Sequence, residues 1–226
     1  MLSEYRRKYG RASDVLPGVG DTFERICLFV VTEGYKRMKH DNNYNLSWKE
    51  TRFSAHLIGY MRKVRQDKDL HLIIDPENHL YGKEVLEGEG DPDTAPRIDI
   101  RIMGGWVNED IYYAVEGKIL VEDNWGTRNN HDLRARYIDT GIDNFVSGQY
   151  SPEIPRGCIL GYVVQGSPEN IVMKINGLLE HRGRDTGKLG NRQCINGYPD
   201  CYMSEHTRTL DEENIRLQHL ILLLAT

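Results

Sequence analysis

Residues 157–164, GCILGYVV, contain no charged side chain, and this run constrains the fold more than any other segment. A strand with one wet face alternates polar and apolar residues, whereas an unbroken apolar strand has to be covered on both faces, inside a sheet held between two layers. Ser167-Pro168-Glu169 follows at once. It is a helix start with Ser at the N-cap and Pro in the first turn, and the helix is expected to run through Leu179. A covered strand feeding a helix is the unit of an α/β fold.

The rest of the chain supplies the layers. Asp21-Thr-Phe-Glu24 and Ser47-Trp-Lys-Glu50 have the spacing of capping boxes. They predict helices to about His40 and about Val64, with apolar stripes through Phe23, Cys27 and Val30 and through Phe53, Leu57 and Met61. Extended segments are expected at Leu70–Ile74, Arg97–Met103 and Ile111–Val121, the first two joined by an acidic connection over residues 75–95. Leu133–Phe145 is expected to be helical. After the apolar strand and its helix comes a Gly- and Arg-rich loop from His181 to Gln193. Strands at Gly197–Thr207 and Ile215–Leu224 close the chain. No repeat or linker divides the 226 residues. The expectation is one α/β domain with a central mixed sheet flanked by helices. Residues 1–45 form an N-terminal helical extension, 46–180 the core, and 181–226 a basic loop with a C-terminal β-hairpin.

The net charge of −5 argues against a protein that coats nucleic acid by wholesale phosphate neutralisation. The charge is uneven, however. Residues 1–66 carry 13 Lys and Arg against 7 acids, and residues 67–99 carry 3 against 10, so an acidic stretch masks a basic first third. The opening MLSEYRRKYG is not followed by the apolar run of a signal peptide, and Leu220–Ala225 is far too short to span a membrane. Four scattered cysteines then suggest reduced thiols and a cytoplasmic location. The spacing of Cys194, Cys201 and His206 does not suit a zinc knuckle.

Two short segments carry the chemistry. In PRID (96–99) and VEGK (115–118), period-two alternation puts Asp99 on one strand face with Arg97 and Arg101, opposite Ile98, Ile100 and Ile102. It also puts Glu116 and Lys118 on one face of the next strand. If the two strands pair, an Asp, a Glu and a Lys converge. Two carboxylates can hold Mg²⁺ through oxygen, and a lysine beside them can orient a water and offset charge on phosphorus.

The pattern Pro96-Arg97-Ile98-Asp99, sixteen residues, then Glu116-Gly117-Lys118 resembles the PD-(D/E)XK superfamily of restriction-endonuclease-like nucleases. The expected element order from Ser47 to Leu179 is similar to the core of that superfamily. The proline stands three positions before Asp99 rather than next to it. The resemblance implies a Mg²⁺-dependent nuclease, with Mn²⁺ as a possible substitute. Asp99 and Glu116 would hold metal, Lys118 would position the water, and Glu50 on the preceding helix would be a further catalytic and metal candidate or else only a helix cap. DNA is the expected substrate, in the setting of an antiviral defence effector. An RNase on the same fold, and a catalytically silent adaptor or structural subunit, are the alternatives.

Tyr137 and Arg136, on the helix after these strands, are candidate nucleic-acid contacts, with helix packing the stronger reading of the tyrosine and a plain surface charge the alternative for the arginine. So are Arg182, Arg184 and Lys188 in the basic loop and His206 on a late strand. Cross-strand pairing of Ser204, His206 and His219 is the stronger reading of the last. The chain has no phosphate-binding Gly-rich loop of the NTPase type and no recognisable DNA-reading motif, so a homo-oligomer or a complex with an ATPase or sensor subunit is expected.

Overall fold

The computed structural model describes residues 17–79, 87–88, 91, 93, 95–104, 112–150, 155–191, 195, 197–209 and 211–225. Two helices come first, α1 (Pro17–Asp41) and α2 (Glu50–Asp67), followed by β1 (Leu72–His79), β2 (Arg97–Gly104) and β3 (Tyr112–Val121). A helical run then passes through α3 (Asn130–Arg136), a π-helical turn (Tyr137–Ile142) and α4 (Asp143–Val146). Next are β4 (Arg156–Gln165), α5 (Pro168–His181), β5 (Gly190–Asn191), β6 (Cys201–Thr207) and β7 (Asn214–Leu223).

The seven strands form one mixed sheet in the order β1-β2-β3-β4-β7-β6-β5. Its centre, β3-β4-β7, is parallel, and its outer pairs are antiparallel. The apolar run is the middle strand β4, buried from Gly157 to Val164. One face carries Cys158, Leu160, Tyr162 and Val164 toward α1 and α2. The other carries Ile159 and Val163 toward Tyr137, Ile142 and Phe145 of the helical run and Ile171 and Ile175 of α5. Gly157 is forced by this packing, because a Cβ there would lie 2.2 Å from Cε1 of Phe145. Among the described residues no helix is long and apolar enough to cross a membrane.

Neither expected capping box forms, although the serine cap of α5 does, Ser167 Oγ accepting the Asn170 N–H at 3.2 Å. α1 already runs from Pro17, so Asp21 and Glu24 lie inside it. Glu24 is 4% exposed and accepts from Arg216 at 2.6 Å, Arg156 at 3.3 Å and the Tyr113 hydroxyl at 3.2 Å. Distant arginines replace the local cap. The N-cap of α2 is Lys49, which makes no side-chain cap bond; Glu50 is the first helical residue and turns away to the sheet.

Other boundaries move too. β1 extends to His79, taking the first residues of the expected acidic connection. The helix expected from Leu133 begins at Asn130, because Asn129 caps it by accepting from the His131 and Asp132 N–H groups. Cys201 is disulfide-bonded, which corrects the expectation of four reduced thiols and removes the thiolate a zinc site would need. Cys27 and Cys158 are free and buried.

Candidate active site

β2 and β3 pair only from Met103↔Tyr112 to Ile100↔Val115. One further step would set Asp99 opposite Glu116, but there the strands part. Beyond the last pair, the β3 amides that face β2 belong to Gly117 and Ile119, two residues apart on the same edge. Backbone donors shut away from water need acceptors, and two carboxylates supply them. Gly117 N–H donates to Oδ2 of Asp99 at 2.7 Å, and Ile119 N–H donates to Oε1 of Glu50 at 3.1 Å. The split in the sheet thus collects acidic side chains because it lacks carbonyls.

Asp99 consequently lies in the gap rather than on a pleated face. The expected alternation fails just there, since Ile98 belongs to the apolar cluster on the opposite side from Ile100 and Ile102. β1 still pairs with this end of β2, as far as His79↔Arg97, but β3 does not. Gly117 is required by the same crowding. A Cβ on it would lie 2.8 Å from Cε2 of Tyr162, 2.9 Å from Oγ of Ser54 and 3.1 Å from Oδ2 of Asp99.

Glu116 and Lys118 do share a face, as expected. Both side chains are 7% exposed, and Lys118 Nζ donates to Oε1 of Glu116 at 2.5 Å. Oε2 of Glu116 is buried and has no hydrogen-bond partner. Burial, and secondarily the negative charge of Asp99, push the Glu116 carboxyl up to about 7 against the opposing pull of Lys118. A buried carboxylate beside another carboxylate, with one oxygen unsatisfied, matches what a hard cation requires. Asp99 and Glu116 therefore suit Mg²⁺ or Mn²⁺ chemically. Among the described residues, no three His, Cys, Asp or Glu side chains gather closely enough to hold a metal ion, so Glu50 does not complete such a set as it stands.

Glu50 is held from two sides. Arg128 donates to the carbonyls of Leu46 at 2.6 Å and Trp48 at 2.7 Å, fixing the entry to α2. Arg136 donates to Oε2 of Glu50 at 2.9 Å. Of the residues expected to touch nucleic acid, Arg136 alone reaches this site.

Tyr137 does not reach solvent, so the packing reading holds and the nucleic-acid contact is corrected. The residue is fully buried, its hydroxyl 2.8 Å from Nδ1 of His219. Nε2 of His219 is 2.8 Å from Oγ of Ser204, which is 2.7 Å from Nε2 of His206. The cross-strand reading of these residues holds, and the chain they make with Tyr137 was not visible in the sequence. In the basic loop, Arg182 pairs with Asp139, Arg184 with Asp143 at 2.6 Å, and Lys188 with Asp185 at 2.8 Å and Glu180 at 3.0 Å. These cations tie the loop to the helices.

No protein-family model, no curated protein and no solved structure matches the chain.

Proposed function

We propose that the chain is a metal-dependent phosphodiester hydrolase with a restriction-endonuclease-like core, acting on nucleic acid and on DNA before RNA. The observation that carries the reading is Glu116: buried, with an unsatisfied oxygen, next to Asp99, and bonded to Lys118 through its other oxygen. Asp99 and Glu116 would hold Mg²⁺, which when bound polarises the phosphate and acidifies a water. Asp99 keeps its place through the Gly117 N–H, so its second oxygen has a fixed origin. Lys118 Nζ, beside the Glu116 carboxylate, would orient the attacking water and offset the charge that builds on the phosphate oxygens. Buried side chains of Tyr162 and Ser54 under Gly117 keep the motif strand in position. A second copy of the chain, or an ATPase or sensor subunit, would supply the substrate delivery for which the sequence carries no motif.

Plasmid cleavage in Mg²⁺ tests the reading. Glu116→Gln and Lys118→Ala should each lower the rate by at least about 100-fold with the thermal melt retained. Cleavage by Glu116→Gln at the wild-type rate overturns it, and a parallel RNA substrate decides between DNase and RNase. The silent-adaptor reading draws on one observation, that Glu116 and Glu50 each already carry an internal cation. It requires that Mg²⁺ and Mn²⁺ do not bind.

A further inference from the structure

We infer that Arg136 is a phosphate-reading switch: it holds Glu50 off the metal until nucleic acid draws the guanidinium away, so that metal and substrate bind cooperatively. This rests on the nuclease reading and adds a regulation to it.

The starting observation is the unequal use of Glu50's two oxygens. Oε1 is fixed on the Ile119 N–H, on the same strand edge whose Gly117 N–H fixes Asp99. Those two amides are about 7 Å apart along an extended strand. Mg²⁺ takes oxygens at about 2.1 Å, so oxygens that share one ion lie within about 4 Å of each other. Glu50 can therefore join Asp99 only through Oε2, and Oε2 is the atom that Arg136 holds at 2.9 Å. Among the described residues no three side chains gather that could hold a metal ion, and Glu50 would be the third only with its Oε2 off the arginine.

Arg136 is suited to let go. Its side chain is 52% exposed against 17% for Glu50, and an exposed ion pair holds weakly. Its guanidinium pairs with this carboxylate, whereas Arg134, on the same helix, reaches the Glu122 carbonyl and Asn130. A phosphate offers a guanidinium a bidentate, charge-assisted partner. Exchange of the carboxylate for a phosphate would leave Glu50 with a charge, a fixed Oε1 and a free Oε2 beside the split.

Coupling of this kind is reciprocal, and Mn²⁺ binding reads it without any turnover. Free Mn²⁺ is followed by electron paramagnetic resonance, with and without a phosphorothioate-substituted duplex. In the wild type the duplex should tighten Mn²⁺ at least about tenfold. Arg136→Gln should bind Mn²⁺ tightly with or without duplex, and Glu50→Gln weakly in both conditions. Arg134→Gln should behave as the wild type. Because a lost positive charge could by itself favour a cation, Arg136→Gln is repeated in the Glu50→Gln background. Its effect should vanish there if the arginine acts through Glu50, and its persistence overturns the inference. So does an equal wild-type affinity with and without duplex. Should Mn²⁺ bind through Asp99 and Glu116 without such coupling, the switch fails and the nuclease reading stands. If Mn²⁺ does not bind at all, both fall.

Discussion

Glu116 sets the chemistry of its surroundings through one imbalance: burial and Asp99 disfavour its charge more than Lys118 favours it. Its carboxyl stands near 7 rather than the ordinary 4.5. The folded chain therefore holds a proton that the unfolded chain has lost between those values, and this group's stabilising contribution falls as pH rises from about 4.5 to about 7. A cation at Asp99 and Glu116, as proposed, would remove the penalty of ionisation. Mn²⁺ should accordingly raise the melting temperature more at pH 8 than at pH 5.5, as measured by scanning calorimetry; equal shifts at both values would argue against these ligands. Gly117→Ala should destabilise by about 1–3 kcal/mol, the usual cost of overpacking, because its methyl would press on Tyr162, Ser54 and Asp99. Urea unfolding gives the magnitude.

Among the elements, the π-helical turn Tyr137–Ile142 has the least visible origin. A stripe of period 3.6 and a helix with one widened turn look alike in sequence, so the helix at 133–145 was legible and its irregularity was not. What fixes the turn comes from far along the chain. The Tyr137 hydroxyl donates to Nδ1 of His219, which leaves Nε2–H of His219 to donate to Ser204 and the serine to donate to Nε2 of His206. In this direction the fully buried phenol has an acceptor and the remaining proton, on Nδ1 of the half-buried His206, lies at the outer end of the chain, whereas the reverse leaves the phenol proton without an acceptor in the chain. Ser204→Ala strands the buried Nε2–H of His219. It should cost about 1–3 kcal/mol and speed amide exchange at residues 137–142. The strand and helix order, the covered β4 and the shared face of Glu116 and Lys118 were legible because period and composition encode them. The capping boxes misled because a four-residue pattern cannot show that Arg156 and Arg216 claim Glu24, or that Ile119 and Arg136 claim Glu50. Asp99 was legible as a candidate but not as a residue in the gap, since a parting of strands leaves no periodic mark.

Over the whole molecule, opposed titrations combine. Burial lowers His206 to about 4 and His219 to about 3, so near pH 5.5 the unfolded chain binds two protons there that the native chain does not. Glu116 binds one that the unfolded chain does not. The balance of about one proton makes stability rise with pH between about 4.5 and 6.5, by about 1.4 kcal/mol per unit from these groups. Glu116→Gln should roughly double that slope in urea titrations at a series of pH values; an unchanged slope would place the native proton elsewhere. The tyrosines of the first helix and its following turn bear on a different matter, the order of events during synthesis. Tyr35 and Tyr44 donate to the carbonyls of Leu223 at 2.6 Å and Leu224 at 3.0 Å, and β7 is the parallel neighbour of β4. Until residues 214–224 leave the ribosome, Tyr35 and Tyr44 lack these acceptors and β4 is open along one edge. Long-range closure of this sort is slow and comes late. The split between β2 and β3 thus belongs to a sheet whose middle is complete only once β7 has docked beside β4.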